Sequence, residues 1–246
     1  MYRQIKDYFR LFLYNIFIFL FLITPKLLME KILKFLTFWA YKVDKKHLKI
    51  ARANLDLVYK DTISQKRKEE IIYNSYRSLV FNMYEFIENQ TISKDELLKK
   101  ANILNKEIIE KAFQDNRKII YITAHYGGWE ITLPYIALMF GEIAVVNRRM
   151  NNPHIQKKYE IARSKNKITM LEKESAAKGM LKAFKDNKSI AVVIDQHIGS
   201  GIEIEFLGQK DKATDSTSRL ALKFDAIIIP IFTINNGFRD WTIKVC

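Results

Sequence analysis

The chain has 246 residues, 48% hydrophobic and 13% aromatic, with 41 Lys and Arg against 27 Asp and Glu for a formal net charge of +14. That composition excludes a disordered or collagen-like chain and provides for one large domain, or one domain with an appendage. A lone cysteine, Cys246, excludes an internal disulfide framework and a cysteine-rich zinc site and points to a reducing compartment. The positive balance favours an anionic partner: nucleic acid, a membrane surface, or an acidic protein or substrate.

Residues 11–24 form an uncharged, aromatic-rich run that ends at Pro25. A perpendicular membrane span needs about 20 residues, so this run is short unless Tyr8, Phe9 and a snorkelling Arg10 extend it. It lacks the small-x-small site of a cleaved signal peptide. Residues 27–41 follow, with Leu28, Ile32, Phe35, Leu36, Trp39 and Ala40 at helical spacing and Lys26, Glu30, Lys31 and Lys34 elsewhere. That pattern predicts an amphipathic helix lying in a membrane interface. Burial of both helices in a core is the alternative. The basic flanks Arg3, Lys6, Arg10, Lys26, Lys31 and Lys34 favour the membrane, although positive charge on both sides leaves orientation unreadable. Residues 1–42 are therefore expected to be a membrane-attachment region and residues 43–246 the main domain.

The first 126 residues contain no glycine, and all eight lie from Gly127 onward. A glycine-free stretch suits helices with polar caps. Thr62 with Gln65, and Ser93 with Glu96, read as capping boxes. Between them Ile72, Tyr76, Leu79, Val80, Met83 and Phe86 form a helical stripe expected to be structural. Beyond Arg117 the pattern changes. Runs rich in β-branched residues predict strands at 119–123, 143–146, 190–194 and 226–234, alternating with helices near 131–139, 153–165 and 175–186. The expected fold is α/β, a mixed or mostly parallel sheet with helices on both faces, preceded by the helical attachment region. Ligands gather where such strands end.

The segment Thr123-Ala124-His125-Tyr126-Gly127-Gly128-Trp129-Glu130 joins the first strong strand to the next helix. The two glycines allow a sharp turn that would bring the Glu130 carboxylate back onto His125, and a carboxylate-held imidazole suits a general base. A satisfied histidine at a strand end is the bland alternative. Asp195, Gln196 and His197 offer metal-ligand types beside His125 or Glu130, but no second histidine stands at a metal spacing. His47 and His154 are expected on the surface. With neither a phosphate-cradling loop nor a dinucleotide fingerprint, no cofactor is expected.

The His-x4-Glu box resembles the His-x4-Asp/Glu motif of lipid acyltransferases, and more specifically the late acyltransferases of lipid A biosynthesis, the lauroyl/myristoyl transferase family. Other segments match in order. Residues 146–153, Val-Asn-Arg-Arg-Met-Asn-Asn-Pro, resemble a Tyr-Arg-Pro-x-x-Asn-Pro block with Arg148 on its arginine, while Asn147 and Arg149 depart from its Tyr and Pro. Arg163 falls on an arginine after the following helix. Ile194-Asp195-Gln196, Glu205-Phe206-Leu207-Gly208 and Ala213-Thr214 resemble an Asp-Gln…Phe-Phe-Gly…Ala-Thr block, with Leu207 replacing the second Phe. Arg52, Asn54, Leu55 and Glu85 also fit. Members of the family continue past the strand near 227–234 with further helices, so a C-terminal portion is expected beyond Cys246.

The resemblance implies a bacterial inner-membrane enzyme with its active site on the cytoplasmic side. It would move a fatty acyl group from acyl carrier protein to a hydroxyl of an anionic lipid A precursor. His125 and Glu130 would be the catalytic base pair. Arg148 would stabilise the oxyanion together with backbone N–H groups at the helix start, and Arg149, Arg163, Asp195 and Gln196 would contact substrate. Between residues 141 and 190, twelve Lys and Arg face five Asp and Glu, half of the chain's excess; this is a platform for the acidic carrier or the acceptor phosphates. Two rivals stand beside this reading: a related acyltransferase with another lipid or glycolipid acceptor, and a non-enzymatic basic protein that binds membrane or nucleic acid. The second gives no reason for the His125–Glu130 arrangement, so nucleic acid is not an expected partner.

Overall fold

The computed structural model describes residues 2–172, 175–196, 199 and 201–246. Pro25 breaks the N-terminal apolar segment into α1 (Tyr2–Ile23) and α2 (Lys26–Val43), since proline cannot supply a mid-helix N–H. No helix among the described residues is long and apolar enough to cross a membrane. In α2 the buried side is Met29, Leu33 and Thr37, while the apolar face read from the sequence, including Leu28, Phe35, Leu36 and Trp39, is exposed. The helix therefore has two apolar sides, one packed inward and one open.

Asp44 caps α3 (Lys45–Tyr59), and Ser64 caps α4 (Gln65–Glu88) by accepting from the Arg67 N–H. The capping box expected at Thr62–Gln65 does not form; the cap is Ser64, two residues further on, whose hydroxyl reaches the N3 amide of Arg67 without a reciprocal bond. The box at Ser93 and Glu96 forms as expected on α5 (Lys94–Leu98). The α4 stripe is also redrawn: Ile72 and Val80 are buried with Phe81 and Tyr84, but Leu79 and Met83 face outward. His47 pairs with Asp44 on the surface, whereas His154 is half-buried against the Tyr8 ring at 4.6 Å rather than free in solvent.

The remaining elements are β1 (Ala101–Leu104), α6 (Glu107–Gln114), β2 (Ile119–Thr123), α7 (Trp129–Phe140), β3 (Ile143–Asn147), α8 (Pro153–Lys165), β4 (Ile168–Glu172), α9 (Ala176–Lys185), β5 (Ser189–Val193), β6 (Ile202–Phe206), β7 (Gln209–Ala213), α10 (Ser216–Phe224), β8 (Ile227–Gly237) and β9 (Asp240–Val245). Seven strands form one sheet in the order β1-β9-β8-β2-β5-β3-β4, and β6–β7 form a separate hairpin. The five strands from β8 to β4 run parallel, and β9 turns back antiparallel to β8.

Side chains alternate across this sheet with the two-residue strand period. Ile119 and Tyr121 of β2, Ile143 and Val145 of β3, and Ile229 and Ile231 of β8 enter the larger core with α4, α6 and α7. Ile120, Ala144 and Ile190 enter a second core with Ala183 and Phe184 of α9 on the opposite face. Both faces are therefore covered. Met29 and Leu33 of α2 belong to the larger core, so the N-terminal helices are packed onto the sheet domain through one side.

Candidate active site

Parallel pairing of β2 with β5 sets Thr123 opposite Val193, and the Ile194 N–H still donates to the Thr123 carbonyl at 3.1 Å. Two residues further along each chain, His125 and Asp195 face one another. One carboxylate oxygen, Oδ2, accepts from the His125 backbone N–H at 2.8 Å, and the other, Oδ1, lies 2.9 Å from Nδ1 of the ring. That contact assigns the proton to Nδ1 and leaves Nε2 as a free acceptor. The imidazole is 41% exposed, with the Trp129 ring edge-on at 5.5 Å.

The turn after His125 has little choice of residue. Gly127 has φ +56°, and a Cβ there would lie 1.5 Å from the Thr233 carbonyl oxygen of β8. The next N–H, of Gly128, donates to that same oxygen at 3.1 Å, and a Cβ on Gly128 would stand 2.5 Å from the Trp241 ring. Asn82 of α4 spans the turn, donating to the Gly127 carbonyl and accepting from the Glu130 N–H at 3.1 Å.

Glu130 does not fold back onto His125. Its carboxylate pairs with Arg163 of α8, whose guanidinium lies 4.9 Å from the Tyr159 ring centre. Both partners are largely buried, and Asn89 donates to the Glu130 carbonyl at 3.3 Å. The geometric reason is the helix: Trp129 begins α7, so Glu130 sits in its first turn and projects toward α8 and α4 rather than across the strand ends. The expected His125–Glu130 contact is therefore replaced by His125–Asp195 and Glu130–Arg163. Arg163 is correspondingly engaged in the protein interior, where substrate contact was expected.

Arg148 lies one residue past β3, which borders β5 on the side away from β2, so it opens on the same end of the sheet as His125 and Asp195. It is exposed and makes no hydrogen bond or ion pair among the described residues. Arg149 reaches Glu172 at the end of β4 at 3.4 Å, and Gln196 is exposed beside Asp195. His197 lies outside the described residues.

Residues 2–246 match the family model of the bacterial lipid A biosynthesis acyltransferases. The chain belongs to this family. A lipid A biosynthesis acyltransferase of Haemophilus influenzae is 23% identical over 237 residues, covering 94% of this chain and 73% of that protein.

In this family member the turn after His125 is backed by a buried ionic network that residue spacing gave no hint of, apart from Glu85. The Trp241 ring that meets Gly128 donates its indole N–H to Glu85 at 3.2 Å. Glu85 pairs with Lys100, which also reaches Glu88 at 2.8 Å; Glu88 accepts in addition from Lys26 of α2, from Tyr84 at 2.7 Å and from Arg239 at 3.0 Å. Burial pushes the Glu85 carboxyl above its usual range, against the pull of Lys100. Burial acts the same way on Glu88, but Lys100, Lys26 and Tyr84 together outweigh it and hold that group at about 2.

Proposed function

We propose that this family member transfers a fatty acyl group from acyl carrier protein to a hydroxyl of an anionic lipid A precursor, at the cytoplasmic side of the bacterial inner membrane. The observation that carries the chemistry is the double contact of Asp195 with His125. It orients the ring and leaves Nε2 free to take the proton of the acceptor hydroxyl. The oxygen attacks the thioester carbonyl, the C–O bond forms, and the tetrahedral intermediate collapses with cleavage of the C–S bond. The departing thiolate takes the proton back from Nε2, and His125 is regenerated. Asp195 stays ionised and stabilises the imidazolium between the two transfers.

The intermediate's oxyanion needs a donor. The N–H groups of His125, Gly128 and Glu130 are committed to Asp195, Thr233 and Asn82. Arg148, exposed at the same sheet end and without a hydrogen bond or ion pair among the described residues, is a donor for it alongside the turn's remaining N–H groups, with Arg149 and Gln196 beside it for the acceptor's anionic groups. Glu130 and Arg163 act as positioning residues: the pair ties α7 to α8 and so fixes the helix that follows the His125 turn.

For the partners, Lys178, Lys182 and Lys185 lie on one exposed face of α9 at helical spacing, suited to an acidic carrier. Residues 1–42 serve as the attachment region through the open faces of α1 and α2, where Phe9, Phe12, Phe35 and Trp39 are exposed. Residues 43–246 carry the transferase domain. Mass spectrometry of lipid A from cells lacking and then regaining this chain tests the proposal. The expected result is loss and recovery of one acyl substituent. Unchanged lipid A with an altered phospholipid or other glycolipid would move the activity to a different acceptor.

A further inference from the structure

The hairpin of β6 and β7 follows β5 and Asp195 in the chain and is followed by α10. Its strands pair Ile202 with Ala213, Ile204 with Asp211 and Phe206 with Gln209 on one face, and Glu203 with Lys212 and Glu205 with Lys210 on the other. Opposed residues share a face, so Ile202, Ile204 and Phe206 line one side of the first strand, with Ala213, Asp211 and Gln209 across from them, while the other side sets Glu203 and Glu205 opposite Lys212 and Lys210. The apolar side is not packed away: Phe206 is 62% exposed, Ile202 48% and Leu207, at the tip, 50%.

The turn itself is unusual. Leu207 and Gly208 are its two central residues, with φ of +52° and +74°. This is the twisted two-residue turn whose first position favours Asn, Asp or Gly. A leucine held in a left-handed conformation is disfavoured, and here half of its surface is still left exposed. A branched apolar residue at the exposed tip of an amphipathic hairpin, next to Phe206, has the composition of an element that enters a lipid interface. The hairpin's own charges, Glu203, Glu205 and Asp211 against Lys210 and Lys212, nearly cancel, and the attraction to anionic lipid comes from the chain's net charge of +14.

Its position supports that partner. The carboxyl ends of the parallel strands carry the hairpin, His125 and Arg148. At that same end Asn152, just past β3, donates to the Asp7 carbonyl of α1 at 2.9 Å. The start of α1, with Ile5, Tyr8, Phe9 and Phe12 exposed, therefore lies at the sheet end from which the hairpin extends. We propose that the hairpin tip Phe206–Leu207 is a second lipid-contacting element, which with α1 holds the carboxyl-end face of the sheet and His125 against an anionic bilayer. The inference rests on the reading that the enzyme works at a membrane, but not on its turning over.

The test uses the full chain carrying Phe206→Ser and Leu207→Ser, with vesicles of equal parts phosphatidylethanolamine and phosphatidylglycerol. The vesicle-bound fraction in sedimentation is expected to fall on the order of tenfold or more, as loss of buried aromatic and aliphatic surface implies. Acyl transfer to a detergent-dispersed acceptor, and the thermal midpoint, should stay at wild-type values. Glu203→Gln with Glu205→Gln, on the charged face, should leave binding no weaker. Unchanged partition of the Phe206/Leu207 variant would overturn the inference, whether or not detergent-dispersed turnover is lost; turnover lost with partition intact would make the hairpin a wall of the acyl site. A lipid-free dimer dissolved by the same variant would overturn it in favour of a second copy. Because partition is read without catalysis, a chain that binds vesicles through the hairpin yet transfers no acyl group would sink the proposed activity and leave this inference standing.

Discussion

Asp195 meets His125 at two points, one oxygen on the backbone N–H and the other on the ring Nδ1. The strands that carry them are adjacent, parallel and in register, so residues 125 and 195 are opposed by the pairing itself. A carboxylate that grips both backbone and ring fixes the position and the tautomer of a base together. Asp195→Asn replaces one accepting oxygen with a donor and sets it against a donor. We expect kcat to fall by about a hundredfold or more with the acceptor KM nearly unchanged. Glu130→Gln should instead act on stability, by about 3 kcal/mol, because it leaves the Arg163 charge largely buried and poorly paired. Steady-state kinetics and thermal melts of both variants decide between the two carboxylates. A neutral Asp195→Asn beside a dead but stable Glu130→Gln would restore the His-Glu pair.

The turn between them tolerates no side chain. Gly127→Ala would set a methyl group on the Thr233 carbonyl oxygen at a backbone φ of +56°, so β8 must move. A loss of at least about 3 kcal/mol is expected, with transfer reduced even where the variant remains folded, since the displaced segment carries His125. Denaturant unfolding together with activity at low temperature measures the two effects separately.

The network around Lys100 predicts a pH signature. Glu88 titrates at about 2 when folded against an ordinary value of 4.5, so the stability it contributes is complete above the ordinary value and is lost as pH falls toward about 2. Glu85 is raised by burial and works in the opposite sense, favouring the fold when protonated. Lys100→Met strands Glu85 and removes one of the three cations that hold Glu88, and should cost about 3–5 kcal/mol at neutral pH. That difference from wild type should shrink as pH falls and the carboxylates take up protons. Urea titrations at several pH values test this, and a difference that does not change with pH would contradict it.

Arg148 is predicted to act on the transition state. Lysine cannot reproduce its planar fork, so Arg148→Lys should lower kcat about tenfold or more with little change in acceptor KM if the guanidinium donates to the oxyanion. A raised acceptor KM with kcat retained would assign it to an acceptor phosphate, and a wild-type profile would remove it from the site.

Because α2 uses two sides, its residues should separate by effect. Leu33→Ala, in the core shared with Tyr84 and Trp241, should cost about 2–5 kcal/mol. Phe35→Ser with Trp39→Ser, on the open side, should leave the melt unchanged and lower the membrane-bound fraction of the protein. Equal loss of stability from both would mean that the open face is packed in the functional state.

Strand and helix periodicity, read along the chain, was enough to locate β2, β3, β5 and β8 and the helices α7, α8 and α9, though not α10, since burial on both faces demands continuous β-branched runs. The His125-x-Gly127-Gly128 turn was equally legible, because a strand end, two glycines and a helix start are local features. The edge strands β1 and β4, the exposed hairpin strands β6 and β7, and the alternating inner strand β9 carry no such continuous run and become strands only by pairing. Which carboxylate holds His125 was likewise not a local matter. Glu130 is five residues away and Asp195 seventy, yet the helix turns Glu130 toward Arg163 while the register of β2 with β5 delivers Asp195. Sequence proximity suggested the first contact; only the order of strands in the sheet, a property of the whole chain's packing, decided for the second.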